Sequence, residues 1–329
     1  GGRTEPPTIG LTTEDSLFLR GAAIEEDFTS LELLQGLADG LVADGTVSAD
    51  NEGNILESGD PQVVYRGETT PAYQPISFAD ITDNGLVDLV SVDAQGNATL
   101  LFPQKRGGPV RKAERFPSLK NPKAVAAGQW DGEGPLEVFV LSEDEKTVGV
   151  SAYEGGRLSF PQPITLATAG ATPQALAFVN LGDAENPRPA LAVVVELRRE
   201  VTLELHEPGA EGGARAIKLE GVRRAPSAVI PADVDQDGAV DLLLLTPGEP
   251  MLMVQGASGE TSGELRVLTD KQMPQFGLVQ AAGPDNTALL DVDGDGKEEL
   301  LIADSNFVRA ARFDATAGWR VVEQAIDPE

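Results

Sequence analysis

Asp233-Val-Asp-Gln-Asp-Gly-Ala-Val-Asp241, running straight into Leu-Leu-Leu-Leu (242–245), is the stretch whose reading decides the fold. Acids stand at positions 1, 3, 5 and 9 and glycine at position 6, and Asp291-Val-Asp-Gly-Asp-Gly-Lys-Glu-Glu299 repeats the pattern. Carboxylates this close repel one another unless a cation lies between them. Calcium suits the spacing, because it accepts roughly six to eight oxygen ligands in a tolerant geometry. The expected donors in the first loop are Asp233, Asp235, Asp237, Asp241 and the backbone carbonyl of Ala239. In the second they are Asp291, Asp293, Asp295, Glu299 and the carbonyl of Lys297. The glycine lets the chain turn back where a side chain would strain it.

The same letters open an EF-hand, whose loop closes on a glutamate at position 12 between two helices. Here position 12 is Leu244 in one loop and Ile302 in the other. The apolar runs Leu242–Leu245 and Leu300–Ala303 are short and bounded by turn signals, which fits buried strands rather than helices. Each loop is therefore expected to join two strands, with its ninth residue opening the second.

The arrangement repeats along the chain. Ala79-Asp-Ile-Thr-Asp-Asn-Gly-Leu-Val-Asp-Leu89 aligns without a gap, Gly128-Gln-Trp-Asp-Gly-Glu-Gly-Pro-Leu-Glu-Val138 also fits, and a degraded copy begins at Asn180. Motif starts at Asp80, Gln129, Asn180, Asp233 and Asp291 are separated by 49, 51, 53 and 58 residues. Each unit reads as an apolar run, the loop, a very apolar strand, an alternating strand such as Val201–His206, and a closing strand such as Leu265–Thr269. Four strands in about fifty residues is the size of one propeller blade. The expected fold is thus all-β: a β-propeller of four-stranded antiparallel blades, six in number with seven as the alternative. The approximate repeats are 31–70, 71–121, 122–172, 173–225, 226–279 and 280–329, with residues 1–30 an extension or ring-closing segment. Within the first 70 residues, Val47–Ile55 reads as strand–turn–strand, Ser16–Ala22 as a strand, and 29–38 as either a capped helix or a strand.

On these residues the chain resembles the FG-GAP/VCBS-repeat family, calcium-loop propellers related to the head of integrin alpha subunits. The family loop, Asp-x-Asp-x-Asp-Gly-x-x-Asp between the first two strands of a blade, is matched in full by 233–241. Loop 291–299 matches with Glu299 in place of the last aspartate. A partial match, residues 80–88, keeps Asp80, Asn84 and Asp88 but has Thr82 at position 3; with the Leu86 carbonyl these would make a third site. Residues 129–137 lose the first acid to Gln129, and the copy at Asn180 is expected to hold no ion. The resemblance implies two calcium sites with a third possible. It implies little about activity, since one fold hosts many functions.

The chain has 329 residues and a formal net charge of −28, from 53 acids against 25 bases. Phosphate-backbone binding depends on lysine and arginine, so nucleic acid is not an expected partner. Attachment to anionic lipid is disfavoured for the same reason, and no apolar run is long enough to span a bilayer. There are no cysteines, so stability must come from packing and any bound ion. Loops of this kind in extracellular modules bind calcium at roughly 0.1–1 mM, which, with the resemblance, points to an extracytoplasmic location. The opening Gly-Gly-Arg-Thr-Glu-Pro-Pro reads as a mature or trimmed terminus rather than a signal peptide.

No catalytic constellation stands out. His206, the only histidine, ends an alternating strand and is expected at the surface. Gly107-Gly108 and Gly212-Gly213 lack the lysine of a phosphate loop and read as turns. Of the two tryptophans, Trp130 is expected in a blade core and Trp319 on an outer strand, the better surface candidate. Three functions follow. The leading one is a non-catalytic, calcium-stabilised propeller that binds a protein partner, as an adhesion module or an accessory subunit. The others are a secreted hydrolase or lyase using axial carboxylates, and a glycan-binding module.

Overall fold

The computed structural model describes residues 76–104, 113–132, 134–182, 187–209, 213–257 and 264–326. Before residue 76 it describes only the backbone of six short strands, so the 29–38 segment and both glycine pairs, Gly107-Gly108 and Gly212-Gly213, fall wholly or partly outside the described residues. The protein is all-β. From residue 76 onward, five consecutive four-stranded sheets follow in chain order: 76–117, 124–164, 172–219, 228–268 and 287–326. Neighbours along each sheet are neighbours in sequence, apart from a small hairpin (Tyr153–Glu154 with Arg157–Leu158) before the last strand of the second sheet. The N-terminal strands depart from this meander. Ile9–Leu11, Ser16–Leu19, Val64–Gly67 and Glu26–Phe28 form one sheet whose last pair is parallel, while Val47–Ala49 pairs with Ile55–Glu57 separately.

The chain divides into two compact units. The first contains the N-terminal strands, the 76–117 sheet and most of the 124–164 sheet; the second contains the last three sheets.

Within the second unit the continuous apolar runs are explained by burial on both faces. Successive residues of a strand point to opposite sides of its sheet. In Asp241–Leu245, Leu242 and Leu244 enter a core with Ala192, Val194, Leu203 and Leu205 of the preceding sheet. Leu243 and Leu245 enter a different core with Leu300, Ile302, Ala311 and Phe313 of the following sheet. A strand between two packed sheets has no wet face, so alternation disappears and four leucines in a row result. In the first unit the same logic gathers Val90, Val92 and Leu101 with Val138, Val140 and Leu158.

Two expectations are overturned by this two-sided packing. Leu203 and Leu205 do point away from His206, yet the histidine is only 6 % exposed, because its own face, shared with Leu191 and Val193, is also covered. Trp319 opens an outer strand but is fully buried. The non-periodic segment that contains the 3-10 turns Asp270–Gln272 and Phe276–Leu278 supplies Met273 and Val279 to its core, and Pro274 accepts the Trp319 backbone N–H at 3.0 Å. Phe313 meets the indole edge-on, centroids 5.3 Å apart. Trp130 is half-buried.

Candidate metal centre

In all four loops the ninth residue opens the second strand of its sheet: Asp88, Glu137, Asp241 and Glu299. The loop backbone is also shared. Position 6 is left-handed throughout, at Gly85 (φ 80°), Gly134 (70°), Gly238 (92°) and Gly296 (87°). L-side chains resist that conformation, which is why position 6 is always glycine. Position 4 is left-handed too, at Asp83 (52°), Gly132 (81°), Gln236 (59°) and Gly294 (79°). That second requirement is hidden in the sequence, because aspartate and glutamine occupy it as well as glycine.

In loop 233–241 the first aspartate caps the turn, its two oxygens accepting the N–H groups of Asp237 and Gly238, each at 3.0 Å. Asp235 accepts the Gln255 side-chain amide at 2.7 Å. Asp241, 1 % exposed, accepts N–H bonds from Val234 at 3.2 Å and Gly256 at 2.9 Å, tying the loop to the exit of the third strand. Oxygens of Asp233, Asp235 and Asp241 all lie within 4.8 Å of one another. Burial pushes the Asp241 carboxyl up to about 8, with the Asp235 charge adding to the effect. Asp235 is raised as well, chiefly by burial, and the charges of Asp237 and Asp233 add to it. None of the three is paired with a lysine or arginine among the described residues. A dication between the oxygens would remove the cost of holding these charges together, and a set made wholly of hard oxygen donors fits calcium.

Loop 291–299 builds the same turn. Asp291 accepts the N–H groups of Gly294 and Gly296 at 2.7 and 2.9 Å, and Asp295 accepts that of Lys297 at 2.8 Å. Here the converging oxygens are those of Asp291, Asp293 and Asp295. Glu299 is buried and accepts the Val292 N–H at 3.1 Å; its other oxygen accepts the Gln236 side-chain amide at 3.2 Å.

Loop 80–88 keeps the frame with fewer charges. Asp80 caps Asn84 and Gly85 at 3.0 and 2.7 Å, and buried Asp88 accepts Thr82 N–H at 2.8 Å and Gln104 N–H at 2.7 Å. The Thr82 hydroxyl at position 3 is buried without a hydrogen-bond partner. In loop 129–137, Gln129 accepts the Gly132 N–H at 3.1 Å, while Glu133 lies outside the described residues. In the degraded copy Asn180 still caps, accepting N–H bonds from Gly182 at 3.1 Å and Arg188 at 2.7 Å.

Residues that sequence reading missed surround the first loop. Gln255 ends the third strand and Gly256 follows it, and with Asp235, Asp237, Arg312 and Thr316 they line a cavity of about 530 Å³. A polar residue such as Gln255 just before the glycine that meets Asp241 was the available signal. Elsewhere, His206 Nε2 lies 3.0 Å from Glu204, a fully buried carboxylate that also accepts the N–H groups of Ala167 and Thr168 at 2.9 and 2.7 Å. Burial alone would raise Glu204; the hydrogen bonds from His206, Thr168 and Ala167 outweigh it and bring the carboxyl down to about 2.

No family model and no curated protein matches the chain. Among solved structures, it is similar to BBS1N in its complex with ARL6DN, soaked with lead, at 13 % identity and a TM-score of 0.48, over 79 % of this chain and 69 % of that one. It is also similar to a proposed 6-phosphogluconolactonase from Bacteroides fragilis, at 14 % identity and a TM-score of 0.49, over 88 % of this chain and 84 % of that one. No helix among the described residues is long and apolar enough to cross a membrane.

Proposed function

We propose that the chain is a calcium-stabilised β-propeller of the FG-GAP/VCBS kind that serves as a protein-binding module outside the cytoplasm. The propeller reading is supported by the succession of four-stranded meanders and by the stacking of the last three sheets through both faces of the middle one. The single observation that carries the calcium reading is the approach of the Asp233, Asp235 and Asp241 oxygens to within 4.8 Å, one of these residues buried and none ion-paired with a lysine or arginine among the described residues. Folding needs one acid to cap the turn and one to tie it to the sheet; the acid at position 3 accepts the Gln255 amide, but the repulsion it adds beside Asp233 and Asp237 is offset only by an ion.

The site is structural rather than catalytic: its carboxylates are spent on the loop's own amides and on the ion. A binding role follows from what such a scaffold offers, loops held rigidly at a sheet's edge. An acidic surface, with net charge −28, favours partners with a basic face. Millimolar calcium outside the cytoplasm would keep such sites filled.

Thermal unfolding in chelator, then across a calcium titration with magnesium as control, tests the reading. A calcium-selective rise in Tm that Asp235→Ala abolishes supports it; a Tm indifferent to calcium sinks it.

A further inference from the structure

We infer that the two full loops are coupled sites, with Gln236 as the residue that links them, so that an ion in loop 233–241 tightens binding in loop 291–299. The inference rests on the calcium reading above. Gln236 occupies position 4 of the first loop, and its side chain leaves that loop altogether, donating from Nε2 to Glu299 Oε1 at 3.2 Å. The return link is Lys297 Nζ, which donates to the Gln236 carbonyl at 3.3 Å. A third tie joins the first loop to the third strand of the sheet that carries the second, the Phe313 N–H donating to the Val234 carbonyl at 2.7 Å.

Comparison of the ninth residues shows what the link replaces. Asp88 and Asp241 each bond one oxygen to their own loop and the other to an amide just after the third strand of their own sheet, Gln104 and Gly256. Glu299 keeps the first contact, to Val292, but the partner of its other oxygen comes from the neighbouring loop. The carboxylate expected to complete the second site is therefore oriented by a residue of the first. Gln236 stands in the left-handed region at φ 59°, where the second loop has Gly294. A non-glycine residue there costs about 1 kcal/mol, and the side chain so placed is the one that reaches across.

The sign follows from ordering, and the effect is reciprocal. Capture of an ion by Asp235 and Asp241 fixes the backbone on either side of Gln236. Fixing it holds Glu299 in one orientation before the second ion arrives, so the second site spends less ordering free energy on binding.

The test is a binding cycle by calorimetry on the full chain, with calcium chloride as titrant at constant ionic strength. Asp293→Ala leaves the first loop to report its own association constant, and Asp235→Ala leaves the second. The wild-type product of the two constants is expected to exceed the product from these single-site proteins by about fivefold, at the low end of measured couplings because the link is partly exposed. Gln236→Gly keeps the left-handed turn, deletes the side chain, and is expected to return that factor to one while folding normally. Equal products in the wild type, a smaller wild-type product, or a factor unchanged in Gln236→Gly overturns the coupling and leaves the calcium reading standing. A wild-type chain that takes up no calcium overturns both.

Discussion

Loops 80–88 and 233–241 share one skeleton and differ in charge. In each, the first aspartate caps two amides, the glycine at position 6 turns back, and a buried ninth aspartate ties the loop to its sheet. Position 3 is Thr82 in one and Asp235 in the other, and position 5 is Asn84 against Asp237. The loop conformation is thus a property of the turn and its two anchoring carboxylates. The further acids of 233–241, Asp235 and Asp237, are not needed for that conformation, and on the calcium reading proposed above an ion would offset their charge. The degraded copy at Asn180 marks the other extreme, retaining only the first cap.

The strongest way to break this comparison is to remove an anchor. Asp88→Ala leaves two amides without their acceptor and is expected to lower unfolding free energy by about 3 kcal/mol, equally in calcium and in chelator, as read by denaturant unfolding. A loss seen only in calcium would make loop 80–88 an ion site like the other and remove the contrast.

Asp235→Ala should show the opposite pattern. At calcium about 100 times the dissociation constant it forfeits about 2.7 kcal/mol, and in chelator little or nothing, since burial and the neighbouring aspartates already make its charge costly. Asp293→Ala should behave alike in its own loop. Equal losses with and without calcium would mean that these aspartates only cap turns.

The sheet that lost its acidic loop offers a third arm, because there a carboxylate on the third strand, Glu204, holds the segment that enters the sheet at Ala167 and Thr168. Glu204 is depressed to about 2 in the folded protein from 4.5, so its contribution is fully present above about pH 4.5 and is lost as pH falls toward about 2. Glu204→Gln is expected to cost about 2 kcal/mol at neutral pH, with the gap to wild type closing as the solution is acidified through that window. A gap independent of pH would show that packing, not charge, is lost. Calcium should leave the gap unchanged.

The smallest effect sharpens the comparison by conversion. Thr82→Asp gives loop 80–88 the missing third acid at a position whose hydroxyl is buried without a partner. It should cost about 1 kcal/mol in chelator and recover at least that much in calcium. A loss that calcium does not restore would show that position 5, Asn84 against Asp237, limits the site.

Much of this was legible in the residues. Four leucines after Asp241 announced a strand with no polar face, and glycine at position 6 announced a left-handed turn, because both are written in adjacent residues. The capping role of the first aspartate was legible for the same reason, since its partners lie four and five residues on. The second left-handed position was not, because aspartate, glutamine and glycine all occupy it.

What the sequence determined by itself was the succession of strands, the loops between the first two strands of each sheet, and the acids that belong to them. Tertiary structure alone decided which carboxylates converge, that Gln236 serves Glu299 across two sheets, and that His206 and Trp319 are buried. The physical reason is the same in each case. A strand's pattern says which residues share a face, but whether that face meets water, another sheet or a covering segment such as that around Pro274 depends on chain brought back from far away in sequence.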